Sequence, residues 1–431
     1  MLQRILRGLE LTLILFILAS LVGFSNPSLT DDVEKVRRYT RQIEFNYISW
    51  MGNAALIKLR AASIGVPYTL NRETQKQIVT EYLRVTQSIL EKEYQLEQIY
   101  ADAKIADKKL ASEAVRGELS KLYARQKELA PLSESILQDQ VSQVLAEIGL
   151  TTVGQSVPNV LYHSTPLPYA LIVSPRDHIE QIANISINTD ITIDEQAALE
   201  GRVDKGFNTS SLVVPIGGVG VYPTMVMRTT DLPWLLKTIS HEWIHNYLTL
   251  RPLGVLYSET PELRTMNETT ASIAGNEIGG LVIERFYPEL KTASLPVPST
   301  ALRTSFNLIS VPLNRSEPSS VRATFDFREQ MHETRITTDA LLAQGKIKQA
   351  EAYMEERRLV FMQNGYLLRK INQAYFAFFG AYADSPGGAA GEDPVGPAVR
   401  ALREKSKSLA DFVNTIGWMT SFEQLQKAVK Q

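Results

Sequence analysis

The sequence has no cysteine among its 431 residues. This absence excludes a disulfide scaffold, cysteine-ligated zinc, an iron–sulfur cluster, a cysteine nucleophile and a lipoprotein anchor. Histidine is also scarce, with only five residues. A large excess of either charge is missing as well, because 45 Lys and Arg face 47 Asp and Glu, for a net charge of −2. No nucleic-acid partner is therefore expected, since binding through phosphate neutralisation needs a basic surface.

Long apolar runs are lacking too, apart from one near the N-terminus. Arg4 and Arg7 precede the stretch from Leu11 to Phe24, an order typical of a secretory signal peptide or a signal-anchor. As a helix its 14 residues would cover about 21 Å, against about 30 Å for a bilayer core. Residues 1–25 are thus predicted to be either a cleaved signal or a single membrane anchor, which leaves the rest of the chain extracytoplasmic.

The stretch 26–150 has the pattern of a helical bundle. Apolar residues between Ile78 and Ile89 recur at helical spacing, with charges of both signs between them. Breaks are expected at Gly65-Val66-Pro67 and at Pro131, so that three or four long helices are predicted.

Beyond residue 150 the pattern changes twice. Short β-rich runs separated by turn residues occupy about 151–227: Val160–Tyr162, Tyr169–Val173, Ser211–Val214 and Val219–Tyr222. Helical spacing returns from about Leu232, and the glycine-rich stretch 384–397 is expected to be a surface loop between the C-terminal helices. The length fits two to three domains, with boundaries predicted near residues 150 and 300.

One motif carries metal chemistry: residues 241–245 are His-Glu-Trp-Ile-His. Histidines at positions i and i+4 project from one face of a helix, so both imidazoles can reach one metal ion. Glu242 is offset from them, so that it misses the ion but reaches a water bound to it. The flanks are typical of a helix, with Asp231 as N-cap and Pro233 in the first turn.

A catalytic zinc site needs a third protein ligand and one position left for water. Arg251 stands where an extended motif would place a third histidine, so the ligand has to be a downstream carboxylate or His332. A predicted helix over residues 266–281 carries two candidates, Glu268 and Glu277, which face opposite ways. Glu268 is preferred because small residues on its face would let the two helices approach closely: Ala271, Ser272, Gly275 and Gly279.

The segment Asn267-Glu268-Thr269-Thr270-Ala271 resembles the Asn-Glu-x-x-Ala segment of gluzincin metallopeptidases, the group that includes thermolysin and the aminopeptidase N family. The resemblance covers about 40 residues. It implies Zn2+ held by His241, His245 and Glu268, with Glu242 as general base.

The residue pattern predicts an α+β, mostly helical chain with an N-terminal helical bundle, a core over 151–300 that contains a small β-sheet, and a C-terminal helical half over 301–431. The resemblance implies that the core is a zincin-like catalytic domain. A weaker similarity, carried by Asn372-Gln373-Ala374 and Tyr382, links the C-terminal part to uncharacterised bacterial predicted aminopeptidases. The chain departs from the group at Ser272, where a supporting aspartate is expected. It also lacks the Gly-x-Met-Glu-Asn segment with which aminopeptidase N relatives bind a free N-terminus.

The mechanism implied is attack on a peptide carbonyl by a zinc-activated water, with Glu242 moving the proton. The oxyanion needs a second donor. His332 is the first candidate, followed by Tyr375 and Tyr382. An extended substrate is expected to pair with an edge strand over Val213–Tyr222, although a plain hairpin turn fits that stretch equally well.

The sequence therefore predicts an extracytoplasmic zinc metallopeptidase that acts on peptides or proteins, with an aminopeptidase as one form of this prediction. The alternative is a membrane-anchored helical scaffold or interaction protein whose zinc site is structural or inactive. Glu242 favours the peptidase over the scaffold, because a structural zinc site needs only its ligands and no residue to activate a water. His163 and His178 are predicted to have no catalytic role.

Overall fold

The computed structural model describes residues 32–62, 69–101, 107–151, 154–292, 325–364, 366, 368–380 and 394–430. Most of these residues are helical and a minority form short strands, which confirms the prediction of an α+β, mostly helical chain. A zincin-like core remains a prediction.

The N-terminal region contains two long helices that pair with each other. The helices before the first strand are α1 (Asp32–Thr40), α2 (Tyr47–Ala62), α3 (Arg72–Ala101), α4 (Lys108–Ala111) and α5 (Glu113–Glu147). Helices α3 and α5 run in opposite directions, because Glu81 pairs with Arg125 whereas Lys92 pairs with Glu118.

The predicted break at Pro131 is wrong, since Pro131 lies inside α5 and the helix continues to Glu147. A proline inside a helix costs about 3 kcal/mol. Here the following turns are strongly buried, with Ile136 and Leu137 at most 1% exposed, so tertiary packing outweighs the local penalty. The other predicted break, Gly65-Val66-Pro67, lies outside the described residues.

The described strands form two small sheets. They are β1 (Tyr162–Ser164), β2 (Tyr169–Pro175), β3 (Ala183–Ile187), β4 (Thr209–Pro215), β5 (Gly218–Val219) and β6 (Thr224–Val226). One sheet has the order β1-β6-β5, with β1 parallel and β5 antiparallel to β6. The other is antiparallel, with the order β3-β2-β4. The predicted strand over Val213–Tyr222 is therefore divided between two sheets, β4 in one and β5 in the other.

The remaining elements are helical. They are α6 (Ile193–Phe207), which connects β3 to β4, then α7 (Leu232–Thr249), α8 (Pro252–Val255), α9 (Pro261–Phe286), α10 (Pro288–Thr292), α11 (Phe327–Ala343), α12 (Ile347–Gln363), α13 (Gln373–Phe379), α14 (Val395–Lys405), α15 (Leu409–Gly417) and α16 (Phe422–Lys430). Most of the predicted glycine-rich loop, residues 384–393, lies outside the described residues.

The N-terminal helices share a hydrophobic core with the helix that carries the histidines. One cluster contains Leu137 and Val141 of α5, Leu236 of α7 and Ile278 of α9, all without exposed surface. The chain before α2 also covers the free edge of β3, where the backbone N–H of Phe45 donates to the carbonyl of Ser186 at 2.9 Å. The region thus wraps the rest of the fold.

Among the described residues, no helix has the length and apolar character needed to cross a membrane. The N-terminal apolar stretch, Leu11 to Phe24, lies outside them.

Candidate metal centre

Helix α7 carries the His-Glu-Trp-Ile-His motif and begins where the sequence predicted. The side chain of Asp231 accepts a hydrogen bond from the backbone N–H of Trp234 at 2.9 Å, and Pro233 lies in the first turn. One turn of helix separates His241 from His245, and their Nε2 atoms lie 3.0 Å apart. Two ring nitrogens at this separation share either a proton or a metal ion.

Helix α9 brings Glu268 to the histidines because glycines let it pack closely on α7. A Cβ added at Gly275 would lie 2.8 Å from the backbone nitrogen of His241. A Cβ added at Gly279 would lie 2.9 Å from the backbone of Lys237. Two of the small residues predicted to permit a close helix pair therefore do so.

The three candidate ligand atoms lie close enough together to share one metal ion. Oε2 of Glu268 lies 3.7 Å from Nε2 of His241 and 3.5 Å from Nε2 of His245. Ligands at about 2.0–2.1 Å from a tetrahedral zinc ion are about 3.3–3.4 Å apart. This Oε2 atom is also buried without a hydrogen-bond partner among the described residues. The donor set therefore fits a metal ion, as predicted for these three residues.

Glu277, the second candidate ligand, faces elsewhere. Its two carboxylate oxygens accept hydrogen bonds from the guanidinium of Arg403, both at 2.8 Å. The helical period thus separated the two glutamates correctly, since one faces the histidines and the other holds α14 to α9.

Neighbouring side chains orient the ligands. Nδ1 of His245 lies 2.7 Å from Oδ1 of Asn267, an acceptor, so the ring carries its proton there and Nε2 is left to bind a metal. The hydroxyl of Tyr257 donates to Oε1 of Glu268, and Nε of Arg264 donates to that hydroxyl at 3.4 Å. No pattern in the sequence indicated Tyr257, which lies in the irregular turn between α8 and α9.

The site strongly favours a cation. Burial would raise the pKa of Glu268, but His245 and His241 outweigh it and hold this pKa well below its usual value. Burial acts against a charged His245 as well, yet the carboxylates of Glu268 and Glu242 and the amide of Asn267 raise its pKa to about 9. The raised pKa favours a second proton on the ring of His245, and a metal ion that binds Nε2 has to displace this second proton.

Glu242 lies beside the candidate ligands and against strand β5, which begins at Gly218. Only 7% of its surface is exposed, and burial raises the pKa of its carboxyl. A Cβ added at Gly218 of β5 would lie 2.8 Å from Cγ and Cδ of Glu242. A Cβ added at Gly220 would lie 3.1 Å from Cβ of His245. The glycines around β5 therefore leave the space that Glu242 occupies.

The ligands and Glu242 open into a cavity of about 1180 Å³. Helices α7 and α9, the chain around β5, the β3-β2-β4 sheet and helices α11 and α13 supply its walls. Tyr47 of α2 lines it as well and donates to the hydroxyl of Ser186 at 2.7 Å. The N-terminal region thus contributes to this wall, which no pattern in the sequence indicated.

The predicted oxyanion donors have different outcomes. His332 lies on α11 but is not among the described residues that line the cavity, whereas Arg328 and Met331 of the same helix are. Tyr375 does line the cavity and is 4% exposed. Tyr382 lies outside the described residues. Ser272, noted as a departure from the gluzincin pattern, is part of the lining.

The other two histidines lie in networks away from the metal ligands. Nδ1 of His163 lies 3.0 Å from Oε1 of the buried Glu134, which is also paired with Lys58. His178 is exposed between Asp177 and Glu180, at 2.8 and 2.9 Å. Neither histidine is among the described residues that line the cavity.

Comparison with known proteins leaves the geometry as the main guide to function. Neither models of protein families nor characterised proteins match the sequence, and no solved structure matches the fold.

Proposed function

We propose that this protein is a zinc-dependent metallopeptidase that hydrolyses peptide bonds. The observation that carries the proposal is the convergence of His241, His245 and Glu268 within 4.8 Å. They line a cavity together with a buried fourth residue, Glu242.

Zinc is the proposed metal because the donor set contains two imidazoles, one carboxylate and no thiolate. Two histidines and a glutamate with one open position form a known type of catalytic zinc site. Zinc bound there would act as a Lewis acid and lower the pKa of a coordinated water to about 7.

Glu242 is the proposed general base. It receives the proton of the attacking water and passes it to the leaving amine. Its raised pKa supports this role, because a carboxyl that titrates nearer neutrality is a better proton carrier. Its carboxylate has no hydrogen-bond donor among the described residues, so it is free to contact a water.

The strand β5 is the proposed docking edge for the substrate backbone. It lies at the edge of the β1-β6-β5 sheet and passes next to Glu242. An extended peptide that pairs with this edge would place its carbonyl groups along the site. Tyr375, the predicted donor that lines the cavity, is the proposed second contact for the oxyanion.

The proposed location is extracytoplasmic, as a secreted or membrane-anchored protein. This part of the proposal is supported by the sequence pattern of residues 1–25 alone.

A paired measurement of zinc content and peptide hydrolysis tests the proposal. Wild type, Glu242→Gln and the matched control Glu277→Gln would be compared after zinc loading. About one zinc per chain in all three proteins is expected, with hydrolysis lost only in Glu242→Gln.

Zinc without hydrolysis in wild type would favour the scaffold with a structural or inactive site. A chain that takes up no zinc would refute the proposed centre. Equal activity of Glu242→Gln and wild type would refute the assignment of the base.

A further inference from the structure

Each carboxylate in the described lining of the cavity already has a structural partner or a proposed role. In the described part of the chain they are Asp231, Glu242 and Glu268. Asp231 caps α7, Glu268 faces the histidines, and Glu242 is the proposed base. Among the described residues of the lining, no carboxylate is therefore left to bind the ammonium group of a substrate N-terminus.

Of the arginine and lysine side chains in the described lining, two have hydrogen-bond partners among the described residues and two do not. Arg228 donates to a carboxylate of α3 at 3.2 Å, and Arg264 donates to a backbone carbonyl of α13 at 2.8 Å. Arg328 and Lys237 make no side-chain hydrogen bond or ion pair with the described residues. Arg328 is half-buried, whereas Lys237 is exposed.

The surroundings of Arg328 favour recognition of an anion. It lies in the first turn of α11 between Phe327 and Met331, which pack on the same apolar cluster as Tyr375 and Phe378. An ion pair is stronger next to apolar walls than in open water. A guanidinium also matches a carboxylate through two parallel hydrogen bonds.

We infer that Arg328 binds a carboxylate of the substrate, so that the cavity selects peptides with an acidic group close to the bond that is cut. This inference rests on the proposed peptidase function. The carboxylate belongs to a Glu or Asp side chain or to the peptide C-terminus, which share one chemistry. Because the described lining offers no spare carboxylate, we expect no requirement for a free N-terminus.

The inference is tested on the full-length, zinc-loaded protein with matched peptides. One set carries Glu or Gln at successive positions around the cleaved bond, a second ends in a carboxylate or a carboxamide, and a third has a free or acetylated N-terminus. At least one acidic peptide is expected to be cleaved about ten- to a hundredfold more efficiently than its neutral partner, the range for one charge-assisted hydrogen bond. The position of the effect distinguishes an acidic side chain from the C-terminus. Acetylation is expected to have no effect.

Four variants assign the effect. Arg328→Gln is expected to bring the ratio of cleavage efficiencies for acidic and neutral peptides close to one, through a higher KM for the acidic peptide. Arg328→Lys should retain part of the preference, and Lys237→Gln should retain most of it. Arg38→Gln, at an exposed position outside the lining, is the control.

Equal cleavage of acidic and neutral peptides by wild type would overturn the inference and leave the peptidase proposal intact. A preference lost in Lys237→Gln but kept in Arg328→Gln would also overturn it. No cleavage of any peptide would overturn the proposed function, and the inference with it.

Discussion

The close contact between α7 and α9 predicts the effect of one added methyl group. In Gly275→Ala the new Cβ would lie 2.8–2.9 Å from three atoms of His241, whereas ordinary contact begins at 3.4 Å. Two of those atoms belong to the backbone, so no side chain can turn aside and the helices have to separate. Zinc–ligand distances are held within about 0.2 Å, so a separation of about half an ångström weakens the site.

The matched control is Gly280→Ala on the same helix. Gly280 is exposed, and a Cβ added there would meet no atom within 4 Å. Alanine is favoured over glycine in a helix by about 1 kcal/mol, and this gain applies to both variants. Overpacking applies to Gly275→Ala alone and costs about 1–3 kcal/mol. Gly275→Ala is thus expected to be about 1–3 kcal/mol less stable than Gly280→Ala.

Two measurements check this prediction. Urea unfolding of the zinc-free proteins measures the free energy of unfolding, and competition with a chelator measures zinc affinity. Gly275→Ala is expected to bind zinc at least about tenfold more weakly than Gly280→Ala, the lower end of the effect of a lost supporting contact. Equal stability and equal zinc affinity in the two variants would refute the reasoning that close helix packing positions Glu268.

Three further predictions concern the site and its supports. Gly218→Ala should displace Glu242 and abolish hydrolysis while zinc content stays at the wild-type level; retained activity would contradict the contact. Asn267→Ala removes the partner of His245 Nδ1 and should lower zinc affinity about 10- to 100-fold in a chelator titration, and an unchanged affinity would exclude an orienting role. Burial would raise the pKa of Glu134, but Lys58 and His163 outweigh it and lower this pKa from 4.5 to about 2. The ionised carboxylate therefore stabilises the fold above pH 4.5, and this stabilisation is lost as the pH falls towards 2. Unfolding of wild type and Glu134→Gln at pH 6 and pH 3 should therefore show a stability difference that shrinks in acid, and a constant difference would count against the pair.

The sequence alone was sufficient for the local part of the candidate metal centre. The spacing of His241 and His245, the cap at Asp231 and the opposite orientation of Glu268 and Glu277 follow from the helical period and from a hydrogen bond between near neighbours. The small residue Gly275 indicated that a second helix would approach closely. These features depend on a few adjacent residues, which is why a pattern reveals them.

The rest of the centre depends on residues that are far apart in the chain. Tyr257, in an irregular turn, donates a hydrogen bond to Glu268. Gly218 lies against Glu242 and belongs to β5, which the sequence pattern predicts to be one strand with β4. His332, the first predicted oxyanion donor, lies one helical turn after Arg328; Arg328 lines the cavity, and His332 is not among the described residues that do. Each of these contacts requires two elements to meet in one orientation, and no periodic pattern records that orientation.

Pro131 illustrates the same limit for the fold. The local preference of proline predicts a break, and this prediction is wrong because the helix that contains it is buried against α7, α9 and β1. Local propensities of a few kcal/mol give way when packing buries many side chains at once. The sequence determined the candidate ligand set and its helix, whereas only the tertiary structure decided the cavity walls, the orientation of those candidate ligands and the place of Arg328 in the lining.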